Sequence, residues 1–424
     1  MTDQPFAGIT VIELGQFVAV PYCAQLMSEG GARVIKVEPH EGDPSRHLGQ
    51  LAPYETRYFV ARNRGKRSLP LDLRHPRAAR VLDALFQEAD VALMNLRPGL
   101  APELGLDFAT LSARYPRLVV GNVTAFGKQG PDAGLAGMDL VVQARSGLMA
   151  AMGKMNGGLP AIGESPIVDY MAAVLLAFGV SSALLRRERT GRGGEVDVSL
   201  LASAMALQNN LFARVEITDG SLHAELRTWL TEARASGVPF AEQAARSPSP
   251  RTSAMTSVYY RTYATKDSAI AVACVSSGLQ RRFLGATGLE DGAREGGISD
   301  RAELAKHYAE LQRAAEARMA EKTTAEWKTV FDAAGVPASQ VYLPFELLDD
   351  PQVLANDMVA DVQHPALGPV RVLSPPLAID GDGFRIAQPT PPFGSQAREV
   401  LAEFGLSSEE IEACLREGAV RADG

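Results

Sequence analysis

The stretch from Gly8 to Pro39 limits the fold more than any other part of the chain. GITVIELG (8–15) is a compact apolar run closed by glycine. PYCAQLMSEGG (21–31) carries a proline at an expected first helical position and ends in Gly-Gly, and ARVIKVEP (32–39) is a second apolar run stopped by proline. Strand, helix and strand within about thirty residues is the length of a βαβ crossover, whose two strands lie parallel. HPRAARVLDALFQEA (75–89), DVALMNL (90–96) and RLVVGNVTAFG (117–127) continue the alternation. Repeated units of this kind predict an α/β chain with a mostly parallel, doubly wound, Rossmann-like sheet.

Further along, MDLVVQARSGLMAAMG (138–153) predicts one helix. The next starts near Asp169, is apolar on nearly all faces, and ends in LLRRERTGRGG, with basic residues in the last turn and Gly191 as the stop. A helix apolar all round is expected to be buried. Asp169 in SPIVDYMAAVLLAFG (165–179) reads in two ways. It caps the helix, or its carboxylate does chemistry at the positive end of the helix dipole. EVDVSL (195–200) predicts a further strand and then a helix to about Ala213, while the Ser-, Pro- and Ala-rich 232–255 reads as a linker or surface loop. TSVYYRTYATKDSAIAVACV alternates like paired strands. ELAKHYAELQRAAEARMAEK and TTAEWKTVFDAAG are amphipathic helices, the second opened by a Thr-x-x-Glu capping box. The tail from Asp350 is rich in Pro and Gly and ends in two short helices, the last capped by Ser407 with Glu410.

Bulk properties remove several functions. At 424 residues the chain exceeds one ordinary core, so two domains or one composite domain are expected. Forty-two basic residues against fifty acidic ones argue against a sequence-independent nucleic-acid binder, and RNRGKRS (62–68) reads as a solvated or phosphate-facing loop. Cys23, Cys274 and Cys414 are scattered and the histidines isolated, so no disulfide framework and no metal site are expected, which suits a reducing compartment. The start is not a signal peptide, and the longest apolar run, Met171 to Leu185, falls short of the roughly twenty residues that span a bilayer. A cytoplasmic protein is expected. GQFVAVP after the first strand lacks the second and third glycines of a dinucleotide loop, no Walker motif is present, and ARSGL (144–148) is not a nucleophile elbow. Cys23 reads as a small core residue.

One ordered set of segments is specific. VIELGQFVAVPYCAQLMSEGGARVIKVEP, RNRGKRSLPLDLR, NLRPG, GMDLVVQARSGLM, PIVDYMAAVLLAFGVSSALLRRERTGRGGEVDVSL and the endings DPQVLANDMV, HPALGPV and EVLAEFGLSSEEI together resemble the class III coenzyme A transferases, of CaiB/BaiF type. This family holds formyl-, carnitine- and benzylsuccinate-CoA transferases, and 2-methylacyl-CoA racemases also belong to it. The resemblance runs from Gly8 to about Gly418 and is weakest from Thr218 to Arg261. It implies an interlocked, ring-like homodimer. In each chain, residues 1–222 and a return segment 346–424 would form the large domain, and 223–345 a small α+β domain with its linker.

The family's nucleophile falls on Asp169. The resemblance implies that its carboxylate attacks an acyl-CoA donor to give a mixed anhydride, then an aspartyl-CoA thioester, and that CoA passes to a carboxylic acid acceptor. A carboxylate at the mouth of a buried helix loses water, while the helix dipole is expected to keep it ionised near neutral pH. Backbone amides at that helix start would then stabilise charge on the thioester oxygen. The implied CoA contacts are Val18 and Ala19 after the first strand, Leu71, Asp72, Leu73 and Arg74 in LDLR, Asn95, Leu96 and Arg97 in NLR, and Gly137, Met138 and Asp139 in GMD. Leu71 and Leu73 also read as strand core, and Arg74 as a solvated helix-start residue.

Departures from the family pattern bear on the substrate. Pro39 stands where formyl-CoA transferases have a cation, Val18 where they have a glutamine, and 245–280 has no counterpart of their Gly-rich loop beyond VSSGL (275–279). Racemases carry a histidine where this chain has Met138, which cannot accept a proton, so the transferase is favoured over the racemase. A non-catalytic CoA-binding protein is the third reading, and the presence of Asp169 argues against it. Phe17 and Met138 near the expected thiol end predict an acid larger than formate.

Overall fold

The computed structural model describes residues 4–247, 255–294, 298–381 and 383–422. The chain divides into two compact units: residues 1–245 with 354–424, and residues 246–353.

The larger unit is built on six parallel strands: β1 (Thr10–Leu14), β2 (Arg33–Glu38), β3 (Lys66–Pro70), β4 (Val91–Met94), β5 (Val119–Thr124) and β6 (Gly194–Ser199). Their spatial order is β3-β2-β1-β4-β5-β6. After β1 the chain moves one way through β2 and β3, then crosses back to lay β4 on the other side. Val11 of β1 is therefore matched with Val34 on one flank and Val91 on the other. Every residue of β1 is buried, because alternate side chains feed two different cores. Ile12 and Leu14 join one with α2 (Ala78–Gln87), while Val11 joins the other with α1 (Ala19–Glu29) and the long apolar helix.

That long helix runs Ile167–Thr190 and closes on Gly191 in the left-handed conformation, as its sequence predicts. Before it, the single helix expected over 138–153 is two: α3 (Asp139–Arg145) and a short turn, Leu148–Ala151, separated by Gly147 at φ +79°. The long helix, α4, packs on α1, β5, β6 and α5 (Leu200–Ala206). It is not buried all round. Val174, Phe178 and Leu185 form an exposed apolar stripe, Phe178 being 73% accessible. Among the described residues α4 is also the one helix long and apolar enough to cross a membrane. Its packing makes it a wall of the sheet's helical layer.

Helix α1 begins at Ala19, so Pro21 is its third residue instead of its first; a proline there still lies in the turn that needs no amide. The expected linker begins too early, since α6 (Glu216–Ala235) carries the chain through 232–235 and a short helix follows at Phe240–Ala245. Residues 248–254 of that segment lie outside the described residues. The division expected at 223 falls inside α6, and the smaller unit starts at Arg246. Its return falls at Leu354 instead of 346.

The smaller unit holds an antiparallel sheet, β7 (Tyr260–Ala264), β8 (Ala269–Ala273) and β9 (Ala338–Gln340), with α7 (Ser277–Thr287), α8 (Arg301–Met319) and α9 (Thr324–Ala334). The capping box at Thr323 and Glu326 is formed, and the Trp327 indole donates to the Met319 carbonyl at 2.8 Å. Residues 354–424 rejoin the larger unit. There Val400 and Leu401 of α10 (Ala397–Glu403), Phe404 just after it, and Ile411 of α11 (Ser408–Arg416) pack into the core beside α2. Ser407 and Glu410 form the second expected capping box.

Candidate active site

An open α/β sheet offers a crevice outside the carboxyl ends of its strands where the strand order reverses. Here that point lies between β1 and β4. The loops leaving those strands, with the end of β5, line a cavity of about 390 Å³. Val18, Ala19, Asn95, Leu96 and Arg97 all contribute to its wall, as do Gly137, Met138 and Asp169.

The loop after β1 achieves this without a glycine-rich turn. Phe17 itself takes the left-handed conformation, φ +65°, which is costly for a bulky residue and persists only where its surroundings hold it. Two of those restraints are visible. The Asn95 amide clamps the Gln16 backbone, its Oδ1 accepting from Gln16 N and its Nδ2 donating to Gln16 O, both at 3.0 Å. Lys36 Nζ donates to the Gly15 carbonyl at 2.8 Å. Asn95 thus lines the cavity but spends much of its hydrogen-bonding capacity joining the two loops across the crevice.

A second hollow, about 470 Å³, adjoins the first and shares Leu14, Gln16, Leu96 and Leu100 with it. Leu71, Asp72, Leu73 and Arg74 line it, beside Pro39 and Glu41. Leu71 is fully buried and bridges to Val420, so it is strand core as well as floor. Asp72 turns the chain, its Oδ1 accepting from Arg74 N at 2.9 Å. Arg74 and Arg97 are exposed, and neither has a carboxylate partner among the described residues.

Asp139 is placed differently from the other residues of GMD. It is 6% exposed and turned into the protein. Its Oδ2 accepts from the backbone amides of Val168, at 2.9 Å, and Asp169, at 3.2 Å. Its Oδ1 accepts from the buried Gln143 amide. Asp139 is therefore the cap of α4, supplied from another helix. Gly137, two residues earlier, lets the segment approach β5: a Cβ there would lie 2.7 Å from that of Ala125.

The arrangement answers the question posed by Asp169. It is the third residue of α4, makes no capping hydrogen bond, and faces the cavity. The amides expected to stabilise charge on a bound oxygen are already taken by Asp139. Nor does the helix start hold Asp169 fully ionised. Burial first, and then the negative charge of Asp139, push its pKa up to about 7, while the Arg62 guanidinium pulls it down. A carboxylate so desolvated is a stronger nucleophile once ionised, and its oxygens accept no hydrogen bond from the described residues.

Gln16 and Leu200 line the cavity without having been expected there. Leu200 follows the end of β6, and Arg62, outside the lining, reaches the neighbourhood of Asp169 through Tyr170. Each is joined to the site by contacts with chain distant in sequence, which no local motif marks.

A family model described as CoA-transferase family III matches residues 6–397. The chain is 28% identical over 416 residues to cinnamoyl-CoA:phenyllactate CoA-transferase from Clostridium sporogenes, covering 96% of this chain and 95% of that protein. It is 29% identical over 406 residues to succinyl-CoA:glutarate CoA-transferase from Mus musculus, covering 94% and 86%. Among solved structures, a CaiB/BaiF family protein from Brucella suis matches with a TM-score of 0.75 at 26% identity, over 95% of this chain and all of that one.

Proposed function

This chain belongs to CoA-transferase family III, and from that premise we propose that Asp169 carries coenzyme A between an acyl-CoA donor and a carboxylic acid acceptor. The observation that carries the reading is the Asp169 carboxylate, released from capping by Asp139 and facing a cavity at the topological switch point. Ionised Asp169 attacks the donor's thioester carbonyl, the C–S bond breaks, and CoA leaves as thiolate from a mixed anhydride. The thiolate attacks the aspartyl carbonyl, releases the donor's acid, and leaves an aspartyl-CoA thioester. The acceptor carboxylate attacks that carbonyl and expels the thiolate again. Attack of the thiolate on the acceptor acyl carbon then yields the new acyl-CoA and frees Asp169.

CoA follows the joined hollows in this reading. Its nucleotide lies over Leu71, Asp72, Leu73 and Arg74, where the unpaired Arg74 suits a phosphate. Its pantetheine passes Val18, Ala19, Asn95, Leu96 and Arg97 towards Gly137, Met138 and Asp169. Asp139 acts on the reaction by fixing the start of α4. Leu14, Phe17 and Met138 give the cavity an apolar lining that suits an acid larger than formate, and both relatives described above are named for larger acids. Met138 disfavours the racemase reading, since methionine cannot serve as a base. The exposed stripe on α4 supports the expected interlocked homodimer as its cover, and three buried free cysteines suit the cytoplasm.

The test is intact mass and peptide mapping after mixing the protein with a panel of acyl-CoAs. A CoA adduct on the Asp169 peptide, lost in Asp169→Ala and discharged by a carboxylic acid, is expected. No adduct with any donor, together with α-hydrogen exchange in deuterated water, would return the racemase.

A further inference from the structure

Four arginines of the larger unit are buried: Arg46, Arg62, Arg64 and Arg187. Three of them hold a carboxylate. Arg46 pairs with Glu38 at 2.7 Å, Arg64 with Glu29 at 2.6 Å, and Arg187 with Asp90 at 2.9 Å. Arg62, 7% exposed, has no carboxylate partner among the described residues. What holds it is neutral. Its Nε donates to the Tyr170 hydroxyl at 3.1 Å and its Nη1 to the Tyr58 carbonyl at 3.4 Å. Its guanidinium carbon stands 5.5 Å from the Tyr170 ring centre and 5.7 Å from that of Tyr58. Tyr22 packs edge-on against Tyr170 with centroids 4.9 Å apart, which fixes that ring in turn. Tyr170 follows Asp169 on α4, so the Arg62–Tyr170 hydrogen bond ties the guanidinium to the residue next to Asp169.

A buried guanidinium without a counter-ion is expensive, and Arg62 Nη2 has no partner among the described residues, so a donor remains for an incoming carboxylate. We propose that Arg62 is the carboxylate-binding group of this site and holds the acid substrate beside Asp169. The inference rests on the aspartyl-CoA reading. In the free enzyme, ionised Asp169 gives Arg62 partial compensation from beyond ion-pair distance. Once Asp169 carries CoA as a neutral thioester, that compensation is gone and Arg62 attracts the next anion to enter. The anion is then the nucleophile the step needs: its oxygen bonds to the aspartyl carbonyl carbon, the C–S bond breaks, and CoA leaves as thiolate. One negative charge enters and one departs. The ligand class is the ionised carboxylic acid, with amines and alcohols lacking the charge that Arg62 reads.

The experiment loads wild type and Arg62→Met with an acyl-CoA, isolates the Asp169–CoA adduct, and discharges it with either a carboxylic acid or hydroxylamine, an uncharged nucleophile. Arg62→Met is expected to discharge to the acid at least tenfold more slowly than wild type and to hydroxylamine at an unchanged rate. If Arg62→Met does not fold, Arg62→Gln keeps a donor for the Tyr170 hydroxyl and serves in the same comparison. Equal discharge to the acid overturns the assignment, and so does an equal slowing with both nucleophiles, which marks a structural role alone. A wild type that forms no adduct on Asp169 overturns the thioester reading itself, and this assignment with it.

Discussion

Two groups of carboxylates in the larger unit meet opposite fates. Beneath the loop after β1, Glu13, Asp43 and Glu38 are saturated with cations. Lys36 Nζ lies 2.8 Å from Glu13 and 2.9 Å from Asp43, Lys66 Nζ lies 2.7 Å from Glu13, and Arg46 takes Glu38 with two bonds of 2.7 and 2.9 Å. Burial pushes the Glu38 and Asp43 carboxyls up, but Arg46 and Lys36 more than reverse it and hold them below the usual carboxylate range. The network also grips backbone, with Lys36 on the Gly15 carbonyl and Lys66 on the Pro21 carbonyl, each at 2.8 Å. These two anchors bracket the cavity wall formed by Gln16, Phe17, Val18 and Ala19. Asp169 is the reverse case: partly enclosed, beside another carboxylate, and without an ion pair among the described residues. The paired charges hold the wall in place, and the unpaired one is the group proposed to react.

The sharpest test of that contrast is Asp169→Asn. Turnover is expected to fall by at least ~1,000-fold, about 4 kcal/mol of barrier, with no loss of melting temperature, because the residue removed is a poorly satisfied carboxylate. A variant that is destabilised but still turns over would erase the distinction. Next comes Glu38→Gln, which strands Arg46 without a full counter-charge and is expected to cost about 3–5 kcal/mol in urea unfolding.

Stability against pH should separate the two sets by sign. Asp169, with its pKa raised to about 7 from an unfolded value near 3.9, contributes stability that is present below about pH 4 and lost as pH rises through 7. Glu38 and Asp43, lowered, contribute stability present above their unfolded values and lost as pH falls through their folded ones. Asp169→Asn is therefore expected to gain on wild type between pH 4 and pH 7. The gain is roughly 2 kcal/mol, less than the full shift implies because the residue is only partly enclosed. A flat difference across that window would mean that Asp169 is not perturbed. The smallest effect is expected from Asp139→Asn. Losing the charged cap costs about 1 kcal/mol, and removing the like charge lowers the Asp169 pKa, moving the acid limb of the kcat/KM profile to lower pH. An acid limb that stays in place would show that the two carboxylates are not coupled.

Local signals in the sequence read well. The β1–α1–β2 unit, the Gly191 stop and the capping boxes at Thr323 and Ser407 each depend on residues a few positions apart, and each forms. Two features escape the same reading: Gly147 takes a left-handed conformation that splits the expected helix, and α6 continues through 232–235 where the Ser, Pro and Ala content predicts a loop. Asp139 escapes it because its partners are distant in the chain. Three adjacent residues, Gly137, Met138 and Asp139, were read alike, yet the first two line the cavity and the third turns inward to amides thirty positions away.

By itself the sequence determined the fold class, through strand–helix alternation, and Asp169 as the candidate nucleophile, through an ordered resemblance spanning nearly the whole chain. Both are patterns of residue type along the chain, which the order of residues carries directly. Only the tertiary structure decided that Asp169 is relieved of capping, that burial pushes its pKa up to about 7, and that Arg62 is buried without a carboxylate partner among the described residues. Those properties depend on desolvation and on the distance between charges. Asp139 and Arg62 lie 30 positions from Asp169 and 108 from Tyr170, respectively, and only folding brings them together.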